Sequence, residues 1–343
     1  MTKHTLYILI FFIFSILKSQ GQDIHFSQFY FSPLTLSPAQ TGFYNGKYRL
    51  ASNYRSQWKM ATGGDPYVTF SASYDMHILD KYMKAADMTG VGVSAFSDKA
   101  GKGDLSTSGI FGSLAYHRDM TGKGKHIFSM GAQGGMVQMG FDPNLLRFGD
   151  QIEREIANGV SGGATIETFQ TTSITYADVN AGVLWNYTLS NKMKFYLGVS
   201  TYHLSRPTIN FLNSNEKNYL STRTSLQGGA AFVITHQWDV FPSILYMRQD
   251  ASNEVNFGTA VRYNTSSDAA IRLGAWYRYW ANSDALIFMT GLEYFNLTLA
   301  ISYDINVSSL NQTSNGRGSI EVALIYIIKS SRAIVQDVSC PEF

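Results

Sequence analysis

LTLAISYDINV, running from Leu297 to Val307, alternates an apolar residue with a small or polar one. In an extended chain successive side chains point to opposite faces, so Leu297, Leu299, Ile301, Tyr303 and Ile305 share one surface. Thr298, Ser302, Asp304 and Asn306 share the other. The period of two recurs along the chain. Val255, Phe257, Val261 and Tyr263 alternate with Glu254, Asn256, Gly258 and Arg262, and Ile271, Leu273, Tyr277 and Tyr279 with Arg272, Gly274 and Arg278. Ile320, Val322, Leu324 and Tyr326 alternate with Glu321 and Ala323, and Tyr48, Leu50 and Tyr54 with Arg49, Asn53 and Arg55. The pattern predicts an all-β fold whose strands each carry an oily row and a polar row.

A soluble sandwich also alternates, but its outer face is dense in charge. Charged residues make up only 15% of this chain and aromatic residues 14%, against roughly 25% charged in ordinary soluble domains. The polar rows are rich in Gly, Ser and Asn, and Tyr, Phe or Trp often edge the apolar rows, as an aromatic girdle at two lipid interfaces would. After residue 21 no run approaches the ~20 apolar residues of a spanning helix. A lipid-facing Arg at the bilayer midplane costs about 2–4 kcal/mol, so Arg262, Arg272 and Arg278 are expected to face a lumen, with Asp304 and Glu321. An unpaired strand edge in hydrocarbon costs several kcal/mol per polar group, so the sheet must close.

The expectation is a transmembrane antiparallel β-barrel over 47–329, with about fourteen strands and both termini periplasmic. Odd-to-even links are long at Asp142 to Thr172, Leu204 to Asn218 and Asn306 to Gly316, whereas even-to-odd links shrink to turns near Ser190, Gln237 and Ser266. One short-side link, His77 to Met88, breaks the rule and is long enough for a helical turn or two. Residues 22–46 are left as a periplasmic or plug-like segment, and 330–343 as a periplasmic tail.

The first residues read as a signal peptide: Lys3 and His4, an apolar stretch from Leu6 to Leu17, then Ser19-Gln20-Gly21, with cleavage expected after Gly21. Removing Lys3 and Lys18 takes the formal charge from +2 to zero. That balance offers no clustered basic field for nucleic acid. The single Cys340 allows no intrachain disulfide, so backbone pairing and apolar contact must hold an exported fold together.

Motifs for chemistry are weak. Gly159-Val160-Ser161-Gly162-Gly163 matches a nucleophile elbow, but that elbow needs a strand before it and a helix after it, and here it falls in a long Gly-rich loop. The histidines show no metal-binding spacing, and neither metal nor cofactor is expected. Tyr44, Tyr48, Tyr54 and Trp58 interleave with Arg49 and Arg55, a mix that can stack on nucleic acid but is ordinary at a barrel rim.

Several blocks resemble one family in order along the chain: QDIHFSQFYFSPLTLSPAQTGFYNGKYRLASNYRSQW (Gln22 to Trp58), VTFSASYD, LRFGDQI, TYHLSRP, SYDINVSSL, GRGSIEVALIY and the closing CPEF. They are similar to the PorP/SprF family of type IX secretion membrane proteins. The resemblance implies a non-enzymatic barrel in outer-membrane lipid, working with secretion and gliding-motility components. It also implies a large secreted client, notably an adhesin, recognised through a C-terminal domain. On the same basis Arg55, Gln57 and Trp58 of YRSQW, and His203, Arg206 and Pro207 of YHLSRP, become partner-binding candidates. Structural alternatives stand beside them: Arg55 and Gln57 satisfying one another, and Pro207 ending a strand. The CPEF tail either docks on the machinery or folds back as a plug.

Three other readings remain open. A barrel of this size can enclose water as a passive solute channel. A hydrolase would rely on Ser161 and His203, and a soluble sandwich adhesin would need no membrane at all.

Overall fold

The computed structural model describes residues 23–59, 62–79, 87–101, 103–159, 165–211, 218–280, 285–308 and 314–328. The expected signal peptide, Ser161, the middle of the His77 to Met88 link and the tail with Cys340 lie outside the described residues. The first strands are β1 (Tyr48–Gln57), β2 (Tyr67–Ile78), β3 (Met88–Ala100), β4 (Leu105–Asp119) and β5 (His126–Gly140). Next come β6 (Ser173–Ser190), β7 (Met193–Tyr202), β8 (Arg223–Val233), β9 (Trp238–Gln249) and β10 (Ser252–Asn264). The last are β11 (Ala269–Trp280), β12 (Ala285–Tyr294), β13 (Leu297–Asn306) and β14 (Arg317–Ile328).

Each strand pairs antiparallel with its sequence neighbours, and β1 pairs with β14 from Tyr48↔Ile328 to Gln57↔Ser319, closing a fourteen-strand barrel. No edge is left unpaired, as hydrocarbon requires. Along β13, Leu297, Leu299, Ile301 and Tyr303 are exposed while Ala300, Ser302, Asp304 and Asn306 are buried. The strand register carries this outward row around the barrel: Leu50 and Tyr54, Val93, Ile110 and Leu114, Val183 and Trp185, Phe257, Leu273, Phe288 and Ile320 are all exposed. Charges on the outward row of the strands occur only near strand ends, at Lys99, Arg118, Arg248 and Arg317. The midsection therefore presents an uncharged apolar belt, the surface a bilayer accepts.

Tyr48 and Ile328 face each other at the end of the barrel that carries the short turns. At the opposite end, the link between β5 and β6 holds a helix, α2 (Gly149–Asn158), capped by Gly159 with φ +68°. The loop reading of 142–172 missed this helix. Ile152 and Ile156 are one helical turn apart on its exposed side, and Arg154 bonds back to Asp150. This link is tied to the one between β7 and β8, because Gln170 N donates to Phe211 O at 2.9 Å and Phe141 packs edge-on against both Phe169 and Phe211.

Inside the barrel runs the segment 23–46. It contains a short 3-10 turn (Phe29–Phe31), the one-turn helix α1 (Pro33–Leu36) and another 3-10 turn (Pro38–Gln40). Phe29, Tyr30, Phe31 and Leu36 pack with Phe241, Leu245, Trp276, Ile287 and Met289 of the wall. Lower down, Ala39 and Phe43 pack with Met88, Ile127 and Leu184. Two wall glycines allow the closest approach of backbone to sheet. A Cβ at Gly90 would sit 2.2 Å from Thr41 O, and one at Gly131 would sit 2.3 Å from Pro38 O.

Candidate functional site

The segment 23–46 carries few charges, so its backbone polar groups need partners from the barrel wall. Side chains on the inward rows supply them. Glu321 accepts from the backbone N–H of Ser27 at 2.8 Å and of Gln28 at 2.9 Å, one on each carboxylate oxygen. Asp304 accepts from Ser27 Oγ and from Arg278 Nη2, both at 2.8 Å, and Arg278 Nη1 donates to Ser27 Oγ at 2.9 Å. Arg55 Nη1 donates to His25 O at 2.7 Å, and its other terminal nitrogen lies 3.5 Å from Asp304. Two guanidinium groups thus surround one fully buried carboxylate, the arrangement that buried charge demands.

A second anchor holds the end of the segment near the short turns. Arg49 grips Asp75 through two parallel bonds of 3.0 and 2.7 Å and also donates to Gln40 O at 2.8 Å. Asp75 accepts in addition from Gly42 N at 2.6 Å. His117 Nε2 lies 2.8 Å from Thr41 O, and a carbonyl can only accept, so Nε2 carries the proton. The Nδ1 of the neutral ring then accepts from Ser129 Oγ at 2.7 Å.

At the long-loop end His203 lies between two carboxylates, with Nδ1 2.7 Å from Asp178 and Nε2 2.5 Å from Asp23. Both partners accept, so the ring donates twice and is an imidazolium. Burial pulls its pKa down, but the bonds to Asp178 and Asp23 outweigh burial and raise it to about 9. Burial likewise pushes the Asp23 carboxyl up, and the Arg223 charge with the His203 bond reverses this, holding it at about 2. Arg223 Nη1 donates to Ile24 O at 2.9 Å. His25 behaves oppositely: burial, with Arg55 and Arg278 nearby, overcomes Glu254 and lowers it to about 4.

The partner-binding candidates divide accordingly. Arg55 and His203 hold neighbouring residues of the internal segment, His25 and Asp23. Arg55 bonds His25, Ser319 and Asp304, not Gln57, which ends β1 half-buried. Trp58 has φ +58°, donates its backbone N–H to Gly318 O at 2.8 Å and packs edge-on against Tyr67. Arg206 is exposed at φ +44°. Pro207 does not end a strand, since β7 stops at Tyr202; its carbonyl accepts from Leu220 N in the link to β8. Among the lumen candidates, Arg262 pairs with Asp239 at 2.7 Å, and Arg272 pairs with Glu293 at 2.5 Å over the Phe241 ring. Among the described residues, no group of three or more His, Cys, Asp or Glu is placed to hold a metal ion.

Between the internal segment and strands β3 to β8, the long-loop half of the lumen leaves a cavity of about 360 Å³. Phe96, Phe111, Val137, Tyr176 and Leu220 line it, with Asp98, Gln133, His203 and Arg223 among the polar groups. Sequence reasoning missed this cavity and the partners of His203. Asp178 carries the same signal that marked Asp304, a carboxylate on a polar row, but Asp23 lies in a segment with no period to read.

A closed, uncharged apolar belt around a lumen occupied in part by the chain's own segment 23–46 defines an outer-membrane-type barrel protein. Residues 18–326 match the model of the type IX secretion system membrane protein PorP/SprF, and the chain belongs to that family. It is therefore an outer-membrane component of type IX secretion. No curated protein sequence matches it. Among solved structures it is similar to a TodX monoaromatic hydrocarbon channel carrying the deltaS2S3 mutation, at 13% identity and a TM-score of 0.52, covering 85% of this chain and 93% of that one. The CymD monoaromatic hydrocarbon channel is similar at 13% identity and a TM-score of 0.50, covering 88% and 94%. Identities this low bear on the fold alone. The family consists of secretion components and these structures are channels; none is an enzyme.

Proposed function

We propose that this chain is a non-enzymatic platform of the type IX machinery, holding or delivering a large secreted client such as a surface adhesin recognised through its C-terminal domain. In cells that glide, it serves motility through that client. The short-turn end faces the periplasm, with both ends of the sheet directed toward the rest of the machinery. The long-loop end faces outward, where Trp58, Arg206, Pro207 and α2 are available to a partner. Residues 23–46 act as a standing plug and are not a partner-facing arm.

The observation that carries this reading is the occupied lumen. Segment 23–46 bonds to inward residues of β1, β2, β4, β5, β7 to β11, β13 and β14. A barrel whose interior is packed in this way exposes its two ends for work and offers solutes no open path. The alternative, a passive solute channel, draws on the named activity of the TodX and CymD neighbours, and it requires the segment to leave. Two measurements separate the readings. Deleting the gene is expected to remove a large protein from the cell surface, with restoration on complementation, while the purified barrel in a planar bilayer passes no steady current. An unchanged surface proteome together with porin-like conductance overturns the platform and favours the channel.

A further inference from the structure

The cavity at the long-loop end is lined mainly by apolar and aromatic side chains. The Phe96 and Phe111 rings stack with centroids 6.2 Å apart and planes 16° from parallel, and Val137, Tyr176 and Leu220 complete the apolar lining. Its volume of about 360 Å³ falls in the range of roughly 300–1,000 Å³ typical of ligand pockets, which are apolar with a few placed polar groups.

Charge on the wall is unbalanced. His203 and Arg223 neutralise Asp23 and Asp178, two cations against two carboxylates, with His203 at 2.5 and 2.7 Å and Arg223 at 3.5 Å. Asp98 is left over. One of its oxygens accepts from Thr69 Oγ1 at 2.5 Å, and no ion pair to Asp98 occurs among the described residues. The adjacent Lys99 lies on the outward row and pairs with Asp104 at 2.7 Å. A carboxylate beside an apolar cavity, with a single hydroxyl donor, attracts a counter-charge.

We propose that this cavity is a binding site for an aromatic or apolar group that carries one positive charge. The body of the ligand lies among Phe96, Phe111 and Tyr176, whose ring faces favour a cation, and its ammonium or guanidinium meets Asp98. An anion of the same shape is rejected by Asp98. The group is supplied either by a free amine or by adjacent aromatic and basic side chains of a polypeptide. The proposal does not depend on which client the machinery carries.

The test uses the full chain in lipid nanodiscs, titrated with dansylcadaverine and with a carboxylate analogue of equal length, read by the shift in dansyl emission. The cationic probe is expected to bind about tenfold or more tightly than the anionic one, a difference of one charge pairing. Asp98→Asn keeps the shape and the acceptor for Thr69, and is expected to cut the affinity for the cation about tenfold while sparing the anion. Leu220→Trp, entering from the loop side, fills the space and removes binding of both probes. Retention of the compact form in unheated electrophoresis checks that each variant is folded. Equal affinity for the two probes, or an Asp98→Asn variant that binds the cation as the parent does, overturns the proposal. Displacement of the bound probe by a short peptide with adjacent phenylalanine and lysine assigns the source to a polypeptide, and charge-selective binding without displacement assigns it to a small amine.

Discussion

Around Asp304 the lumen is full; around Asp98 it is hollow. Both residues sit on inward rows of the same alternation, so the difference comes from what their neighbours carry. On β10 to β14 the inward rows hold Glu254, Asn256, Arg278, Asp304 and Glu321, polar or charged side chains that pair with the internal segment, and Trp276, which stacks on Tyr30. On β3 to β5 the inward rows include Gly90, Gly92, Gly109, Gly131 and Gly135, which contribute no side chain. Near the short turns the backbone of the segment takes up that space directly, at Gly90 and Gly131. Toward the long loops residues 25–28 bond to β1, β10, β11, β13 and β14, and only Asp23 and Ile24 reach back to His203 and Arg223, so the space beside β3 to β6 stays open. The two longest described links, tied together at Gln170 and Phe211, rise from this same hollow half. Alternation dictates which residues face inward, while the length and charge of those residues decide whether the interior is anchored or hollow.

The sharpest way to break this contrast is to disarm the filled half. Asp304→Ala leaves the guanidinium groups of Arg278 and Arg55 buried without their shared carboxylate, which costs about 3–5 kcal/mol. The expected result is a lowered denaturation midpoint in detergent and release of residues 23–31 to protease. A midpoint equal to that of the parent would show that the network does not anchor the segment.

The next effect lies at the boundary between the halves, where His203 holds Asp23. The His203 pKa rises from 6.5 in the free side chain to about 9. Its contribution is therefore complete below about 6.5 and is lost as pH climbs through 9, an effect on the order of 3 kcal/mol. Asp23 works in the other direction. Its carboxyl falls from 3.8 to about 2, so its stabilisation is present above 3.8 and disappears as pH falls through 2. His25, lowered from 6.5 to about 4, must be charged in acid and erodes stability between those values. Hydrogen exchange at residues 23–25 should accelerate between pH 7 and 10 beyond the intrinsic base-catalysed rise, and His203→Gln should abolish that excess. An excess that persists in the variant would assign it to another group.

The barrel itself was legible because lipid punishes error: a charged residue on the wrong row costs several kcal/mol, so Arg262, Arg272, Arg278, Asp304 and Glu321 mark their row without ambiguity. Their partners were not legible. Ser27 and Asp304 are 277 residues apart, and nothing local in QDIHFSQFYF announces that its backbone will bond to the last two strands. The segment has no period because it is neither helix nor strand for more than one turn, and each of its contacts is chosen by the wall opposite. The helix α2 was readable in part, since Ile152 and Ile156 stand four apart in GDQIEREIAN and a glycine follows. The surrounding glycines favoured the loop reading. The cavity was invisible because it is a difference between side-chain volumes on six strands, a quantity no single stretch contains.

The smallest expected effect is the one that most directly tests the hollowness. Phe31 is buried to 1% exposure in the filled half, where Phe31→Ala is expected to cost about 3–5 kcal/mol through lost packing and the cavity left behind. Phe96 is half-buried, lines the cavity and packs beside Phe111. Truncation there enlarges a space that already exists and removes few contacts, so Phe96→Ala is expected to cost about 1 kcal/mol or less. The pair is read together by denaturation in the same detergent, each against the parent chain. A Phe96→Ala loss as large as that of Phe31→Ala would mean that the long-loop half is packed as tightly as the half around Asp304, and the contrast between them would not survive.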